Sequence, residues 1–370
     1  MPTRELIITG LPPGRTVVGG ASRVVSFRPP VGRRSIAVRT QFWPPTLPTP
    51  WGGGPSGNLT LSLLDLLRCT TRYFFIESWL AGQADGWVLG LPVVEYLADG
   101  PQLRWRRRNA NVARWLSEMA GVGLSCYVME LCGATNIALS NGGLSGPDYC
   151  CHLTIKGKAT KAWFESKGSS TRAGVTAQVQ RAADQVAPYK GSGTLCLICA
   201  ACVPLIGSTD QPCIYLADPP TDGESDVSSF QLNIAALAAT LGWAGEPEVA
   251  HELASAVMSF EDGAPRYLPP AAALAEVERR CQPMAQPLAQ LAEADAENTV
   301  LTGPEGSLTA RLPVENLRTL SDLCREGPAR VSRFQITPVQ RGDAGQLDQT
   351  SFAPDGSALI WRPNEQRKRR

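Results

Sequence analysis

Leu195-Cys-Leu-Ile-Cys-Ala-Ala-Cys-Val-Pro-Leu-Ile206 is a continuous apolar run. It is too short to cross a bilayer, and it is buried whether it folds as a strand or as a helix. It marks the interior of the fold, and the rest of the chain is read outward from it. Upstream, Thr171–Val186 has helical spacing. Tyr149–Ile155 and Val122–Leu131 read as strands around a glycine-rich loop, Ser140-Asn-Gly-Gly-Leu-Ser-Gly146. Asn109 or Asn111 caps a helix through Met119, with Val112, Trp115, Leu116 and Met119 at helical spacing. Trp87–Leu91 and Leu103–Arg107 read as strands. Leu59–Leu80, capped by Asn58 or Thr60, is apolar on more than one face and reads as a buried central helix.

Residues 44–57 are rich in Pro and Gly and set a boundary. Before it, Glu5–Gly10, Arg15–Gly19, Arg23–Phe27 and Ser35–Trp43 are strand-length runs split by Pro-Pro and Gly-Gly, as in a meander or small sandwich. Downstream of the central run the chain turns helical. Ser228 or Ser229 caps a helix bearing Phe230, Ile234, Leu237 and Leu241. Pro247 opens a second, which continues through Val249, Leu253, Val257 and Phe260. Pro270–Glu297 is Ala-rich and interrupted at Pro283 and Pro287. Pro313 opens a helix with Leu317, Leu320 and Leu323 that closes at Gly327. Val331–Ile336 and Leu359–Trp361 return to strand, with Asp355-Gly356 as a hairpin-type turn. The order predicts an α+β fold: a β-rich basic segment (1–50), a mixed core (58–207), a helical acidic region (208–327) and a C-terminal β segment with a basic tail (328–370). The first and last strands are expected to share one sheet.

The 370 residues carry a net charge of +1, and 43% are hydrophobic. That is enough apolar chain for a sizeable core, which excludes a disordered protein. No stretch reaches 18 apolar residues and the N-terminus lacks a secretory pattern, so neither a membrane span nor secretion is expected. There are 29 Arg and 6 Lys, a ratio that GC-rich coding explains without any function. Gly 35 and Pro 30 make up about 18% of the chain, above the usual share of roughly 12%, so loops are plentiful. Charge is segregated: residues 1–50 carry +6, 101–190 carry +7, 209–305 carry −13 and the last four residues +4. Such asymmetry suits self-association, or a basic face turned to nucleic acid.

Few residues point to chemistry. Cys196, Cys199, Cys202 and Cys213 have spacing that thiolate metal sites use, but Leu, Ile and Ala lie between the first three, so they are read as core thiols and no metal is assigned. Eleven Cys without a secretory signal are expected to be reduced and buried. Cys150, Cys151 and His152 are consecutive on a strand and point to alternate faces. No phosphate loop, metalloprotease, hydrolase or kinase signature is present, and no cofactor is expected. The basic cluster Arg104-Trp105-Arg106-Arg107-Arg108, with Arg114 nearby, is the best-placed contact surface. On a strand it would show Arg104, Arg106 and Arg108 on one face, fit for phosphates or for a protein interface. The tail Arg367-Lys368-Arg369-Arg370 reads similarly.

These features lead to the expectation of a non-enzymatic structural subunit of the viral capsid type, associating with copies of itself or with other structural subunits, inside a virion or a host cell. The alternative is an intracellular nucleic-acid-binding subunit of a larger complex. No membrane partner is expected.

Overall fold

The computed structural model describes residues 29–364, apart from 42, 45–46, 53–55, 81–85, 107–108, 141–145, 156, 190–193, 219–226, 262–263, 295–296 and 340–348. The strands expected over 5–27, and Arg107, Arg108 and Arg367–Arg370, lie outside the described residues. β1 (Arg33–Gln41) buries Ile36 and Val38 and exposes Arg33 and Arg39, the period-2 pattern of a strand with one wet face. β2 (Ser56–Ser62) returns antiparallel, with Ile36 opposite Leu59. Residues 44–57 thus fall between β1 and the first residues of β2, two paired strands of one sheet. Leu59 and Leu61 alternate inward as strand residues, so the expected helix starts later. Ser62 Oγ accepts the Asp65 N–H at 2.9 Å and opens α1 (Leu63–Leu80).

The stretch expected as a strand at Trp87–Leu91 is helical, in α2 (Gly86–Glu95). A β-carbon on Gly90 would lie 2.5 Å from Thr71 Cγ2, so α2 packs on α1 at a distance only glycine allows. Trp87 stacks on Trp243 with centroids 5.6 Å apart. α3 (Ala110–Leu131) begins where expected, with Asn109 Oδ1 accepting the Val112 N–H. It does not give way to a strand at Val122. Gly121 and Gly123 resemble helix breakers in sequence, yet here they are points of contact. A β-carbon on Gly121 would lie 2.7 Å from the Lys167 carbonyl, and one on Gly123 2.1 Å from Thr70 Oγ1.

β3 (Ala138–Leu139), β4 (Tyr149–Ile155) and β5 (Lys158–Ser169) follow, the last two forming a tight hairpin. α4 (Arg172–Val186), capped by Thr171, crosses over to β6 (Thr194–Cys202), which runs parallel to β5. β7 (Cys213–Ala217) turns back and then pairs in parallel with β1. The resulting sheet has the order β2-β1-β7-β6-β5-β4-β3. The apolar run that began the reading is its central strand, fully buried from Cys196 to Val203.

The acidic region, 208–327, is helical only in part, since it also holds β7 and four further strands. α5 (Ser229–Trp243) opens with a capping box between Ser228 and Gln231 and is buried on all sides. α6 (Pro247–Val257) ends short of Phe260, because Met258–Glu261 (β8) pairs with Ala264–Tyr267 (β9). α7 (Pro270–Glu293) runs unbroken through Pro283 and Pro287. Pro283 is on the exposed side, where water can satisfy the carbonyl it orphans. β10 (Glu297–Gly303) and β11 (Gly306–Arg311), absent from the sequence reading, precede α8 (Val314–Glu326) and the single turn α9 (Pro328–Val331). β12 (Thr350–Phe352) and β13 (Ala358–Pro363) complete a separate sheet of order β10-β11-β13-β12.

The fold is α+β, but among the described residues the first and last strands lie in different sheets. Val331–Ile336 is not a strand. Phe334 and Ile336 are buried on irregular backbone, which side-chain amides satisfy: Asn233 Nδ2 donates to the Phe334 carbonyl at 2.9 Å, and the Thr337 N–H donates to Asn316 Oδ1 at 2.8 Å. Among the described residues no helix is long and apolar enough to cross a membrane.

Candidate active site

Gly157 (φ +77°) turns the chain between Ile155 and Lys158. The hairpin register pairs Tyr149 with Phe164, so one further step sets Asp148 beside Glu165. Side chains alternate along a strand, so Glu165 and Lys167 share a face. Asp148 joins them there. The Asp148 N–H donates to Glu165 Oε2 at 2.9 Å, and the Ser166 N–H donates to Asp148 Oδ2 at 2.9 Å. The Lys167 ammonium donates to Glu165 Oε1. Glu165 is fully buried, while the Lys167 side chain keeps 23% of its exposure and so reaches toward solvent. Burial, and then the neighbouring Asp148 carboxylate, push the Glu165 carboxyl up to about 7 against the pull of Lys167. Burial likewise raises Asp148. Two carboxylates and one ammonium meet where a single cation cannot neutralise both acids, so the Glu165 carboxyl keeps its proton to a higher pH than usual.

Both faces of this part of the sheet are fixed. On one, α3 presses so closely that a β-carbon on Gly168 would lie 1.6 Å from the Ser117 carbonyl oxygen. On the other, α4 packs over β5 and β6, and Gln185 Nε2 donates to the Gly146 carbonyl at 3.5 Å. The site lies toward the end where β5 and β6 terminate. Basic groups gather at that end. The Trp105 N–H donates to the Pro204 carbonyl at 2.9 Å, which sets residues 104–106 beside the chain leaving β6. The Arg172 N–H donates to Asp210 Oδ2 at 3.0 Å at the start of α4, and Arg114 is on α3 one turn before Ser117.

No family model, curated protein or solved structure matches this chain.

Arg104 and Arg106 flank Trp105 as the strand reading expected, although the segment pairs only through isolated bridges at Gln102 and Trp105. Arg104 Nη1 donates to the Ser208 carbonyl at 3.1 Å. Arg106 is 42% exposed, 3.9 Å from Asp99. Arg114 is 79% exposed and pairs with Glu118 at 3.2 Å. Trp105 is a correction: it is fully buried and donates to Ser117 Oγ at 2.9 Å, so its ring cannot stack on a base. Leu103 and Trp105 are core residues that anchor the arginines between them.

All eleven cysteines are buried free thiols. Cys196 and Cys202 lie on one face of β6 and Cys199 on the other, so strand geometry keeps these three from converging on one ion. His152 is also committed. Asn136 Oδ1 accepts the His152 backbone N–H at 2.7 Å, which directs Asn136 Nδ2 to His152 Nδ1 at 2.7 Å. Nε2 then carries the proton and donates to Ser229 Oγ at 3.2 Å, the wrong tautomer for activating that hydroxyl as a nucleophile.

Sequence reasoning missed Asp148, Glu165 and Lys167. The signal was present: a tight turn at Gly157 between two runs, an acid immediately before the first, and acid-X-Lys in the second. The second run, Lys158–Ser169, was not recognised as a strand, so the two halves of the site were never set opposite each other.

Proposed function

We propose that this chain is a divalent-metal-dependent phosphodiester hydrolase acting on nucleic acid. The observation that carries the reading is the convergence of Asp148, Glu165 and Lys167 on one face of the β4–β5 hairpin. Mg²⁺ is commonly held by one or two carboxylates together with water and substrate phosphate, so a two-carboxylate site suits it. A zinc cage needs more ligands, and the described residues contain no group of three or more His, Cys, Asp and Glu that could hold an ion. Asp148 and Glu165 are the residues to hold the metal, which when bound would polarise a phosphoryl oxygen and lower the pKa of its water. Lys167, whose side chain reaches toward solvent, would orient the attacking water and offset charge on the phosphate. In the reaction a water oxygen bonds to phosphorus, the phosphorus–oxygen ester bond breaks, and the leaving oxygen takes up a proton.

Arg106, Arg114 and Arg172 supply positive charge at the same end of the sheet, suited to backbone phosphates. The nucleic-acid reading of the basic cluster is kept in this proposal. The self-assembling, non-enzymatic reading, drawn from segregated charge, plentiful loops and absent catalytic signatures, is placed second because Asp148, Glu165 and Lys167 could serve as a catalytic group.

The test is cleavage of end-labelled single- and double-stranded DNA and RNA with Mg²⁺ or Mn²⁺, and with the metal chelated. Metal-dependent cleavage is expected, lost in Asp148→Asn and in Lys167→Met. Cleavage that persists in both variants, or none with any of these substrates, overturns the reading.

A further inference from the structure

Cys202 ends β6 and Cys213 begins β7, and the two are directly opposite in the antiparallel register. Opposed residues in such a pair have Cα atoms about 4.5 or 5.5 Å apart, and both values fall within the 4.4–6.8 Å a disulfide spans. Directly opposed residues point to the same face of the sheet, so the two side chains lie side by side. None of the other thiols on β6 has a cysteine opposite it on a neighbouring strand: Cys196 pairs with Trp163, and Cys199 with Ser166 and Leu216.

The structure assigns Cys202 and Cys213 as a reversible disulfide site whose oxidant is a low-molecular-weight disulfide. The two thiols differ in readiness. Cys213 is held down to about 7 by its hydrogen bond with Cys202, with Tyr215 and the guanidinium groups of Arg39 and Arg172 adding to the effect against burial. Cys202 is raised by the same hydrogen bond and by burial. Cys213 begins β7 beside β1, which carries Arg39, and three residues after the Asp210 that holds Arg172, so these cations make it the attacking thiolate and Cys202 the resolving thiol. In the first step Cys213 Sγ bonds to one sulfur of the oxidant, whose sulfur–sulfur bond breaks and releases a thiolate. In the second, Cys202 Sγ attacks Cys213 Sγ, the mixed disulfide breaks, and the second small thiolate leaves with the proton from Cys202. The protein dithiol loses two electrons, and the small disulfide becomes two thiols.

Closure would pin the chain between β6 and β7. That segment holds the Asp210 carboxylate on the Arg172 N–H and the Ser208 carbonyl on Arg104. Cys202 is also paired with Ser169, two residues beyond Lys167 on β5.

The test treats the full-length protein with oxidised glutathione, alkylates the remaining thiols after denaturation, and cleaves on the amino side of aspartate. This separates Cys213, within Asp210–Ala217, from Cys202. The expected product is Asp210–Ala217 disulfide-linked through Cys202, and in Cys202→Ala the same peptide carrying glutathione. Full alkylation of Cys213, or linkage to Cys196 or Cys199, overturns the assignment. A second arm needs no variant: iodoacetamide at neutral pH should label Cys213 in the native protein faster than Cys196 and Cys199, and equal rates count against the site.

Discussion

Arg72 and Asp355 are 283 positions apart in the chain, yet the guanidinium holds the carboxylate with two hydrogen bonds, at 2.6 and 3.3 Å, where neither meets solvent. Arg72 also donates to Thr240 Oγ1 at 2.7 Å and to Ser357 Oγ at 2.9 Å. One residue of α1 thus ties α5 and the turn between β12 and β13 to the main sheet's helical layer. A parallel clasp joins Arg68 to Glu130 of α3 and to Ser351 of β12.

Breaking such a pair leaves a bare charge in the core. Asp355→Ala is expected to cost about 3–5 kcal/mol, whereas Arg72→Met combined with Asp355→Leu should cost much less, because both charges leave together. Urea unfolding of the three proteins checks this. A loss under about 1 kcal/mol for Asp355→Ala alone would mean the clasp is not holding the second sheet.

The two acids and the lysine of the hairpin should separate in function. Asp148→Asn is expected to weaken Mg²⁺ binding at least tenfold in calorimetric titration. Lys167→Met should leave Mg²⁺ binding within a few-fold and lower the cleavage rate by about 10²-fold or more, the scale of losing an electrostatic or proton-positioning group. Equal effects of both substitutions on metal affinity would assign Lys167 to holding the carboxylates alone.

Gly168→Ala tests the crossing of α3 over β5. Its new methyl carbon would meet the Ser117 carbonyl oxygen at 1.6 Å, backbone against backbone, so no side chain can swing aside. A loss of about 2–3 kcal/mol in thermal or urea unfolding is expected, the range for overpacking. Because Lys167 adjoins the crossing, cleavage should fall further than stability alone explains. A variant as stable as the parent would show that α3 can move away freely.

His152 gives the fold an acid-sensitive point. Burial, and then Lys161, lower it from 6.5 to about 4, so the unfolded chain takes up its proton before the folded chain does. Between those values the unfolded state binds more protons, and stability falls as pH drops from about 6.5 toward 4. The difference in unfolding free energy between pH 7 and pH 4 should be smaller in His152→Gln by on the order of 2 kcal/mol, after discounting for the partial exposure of the ring. Identical pH dependence in the two proteins would place the acid sensitivity elsewhere.

Arg106→Ala with Arg114→Ala should weaken binding of nucleic acid of any sequence and flatten its salt dependence, since phosphate contacts carry no sequence information. Both side chains are exposed, so unfolding should be unchanged. Filter binding across a salt series reads the result, and an unaltered slope removes these residues from the interface.

What was legible in the sequence follows from what local patterns encode. Helices with their own start signals were readable: Thr171 before α4, Ser228 before α5, Pro247 before α6 and Pro313 before α8. The alternation of Leu59 and Leu61 was hidden because the helix that follows carries the same leucines. Gly121 and Gly123 misdirected the reading of α3, since a glycine needed for close packing and one that ends a helix look alike along the chain. The arginines that matter most to the core, Arg68 and Arg72, gave no signal, because their partners lie from 62 to 285 positions away. The candidate site was missed for a narrower reason: its three residues become neighbours only once the strand after Gly157 is recognised.

Asp148 and Glu165 are 17 positions apart, joined by one hairpin and needing no distant element to meet. The chemistry of the site is therefore written as a spacing. Exposed residues between them can be exchanged for others of similar strand preference, whereas Gly157 must keep its positive φ, and adding or deleting a single residue would turn Lys167 through the sheet to face α3. Substitution and length change thus act on this protein by different rules. Between Asp148, Glu165 and Lys167, only the exposed positions of the hairpin can drift in identity, while the number of residues stays fixed.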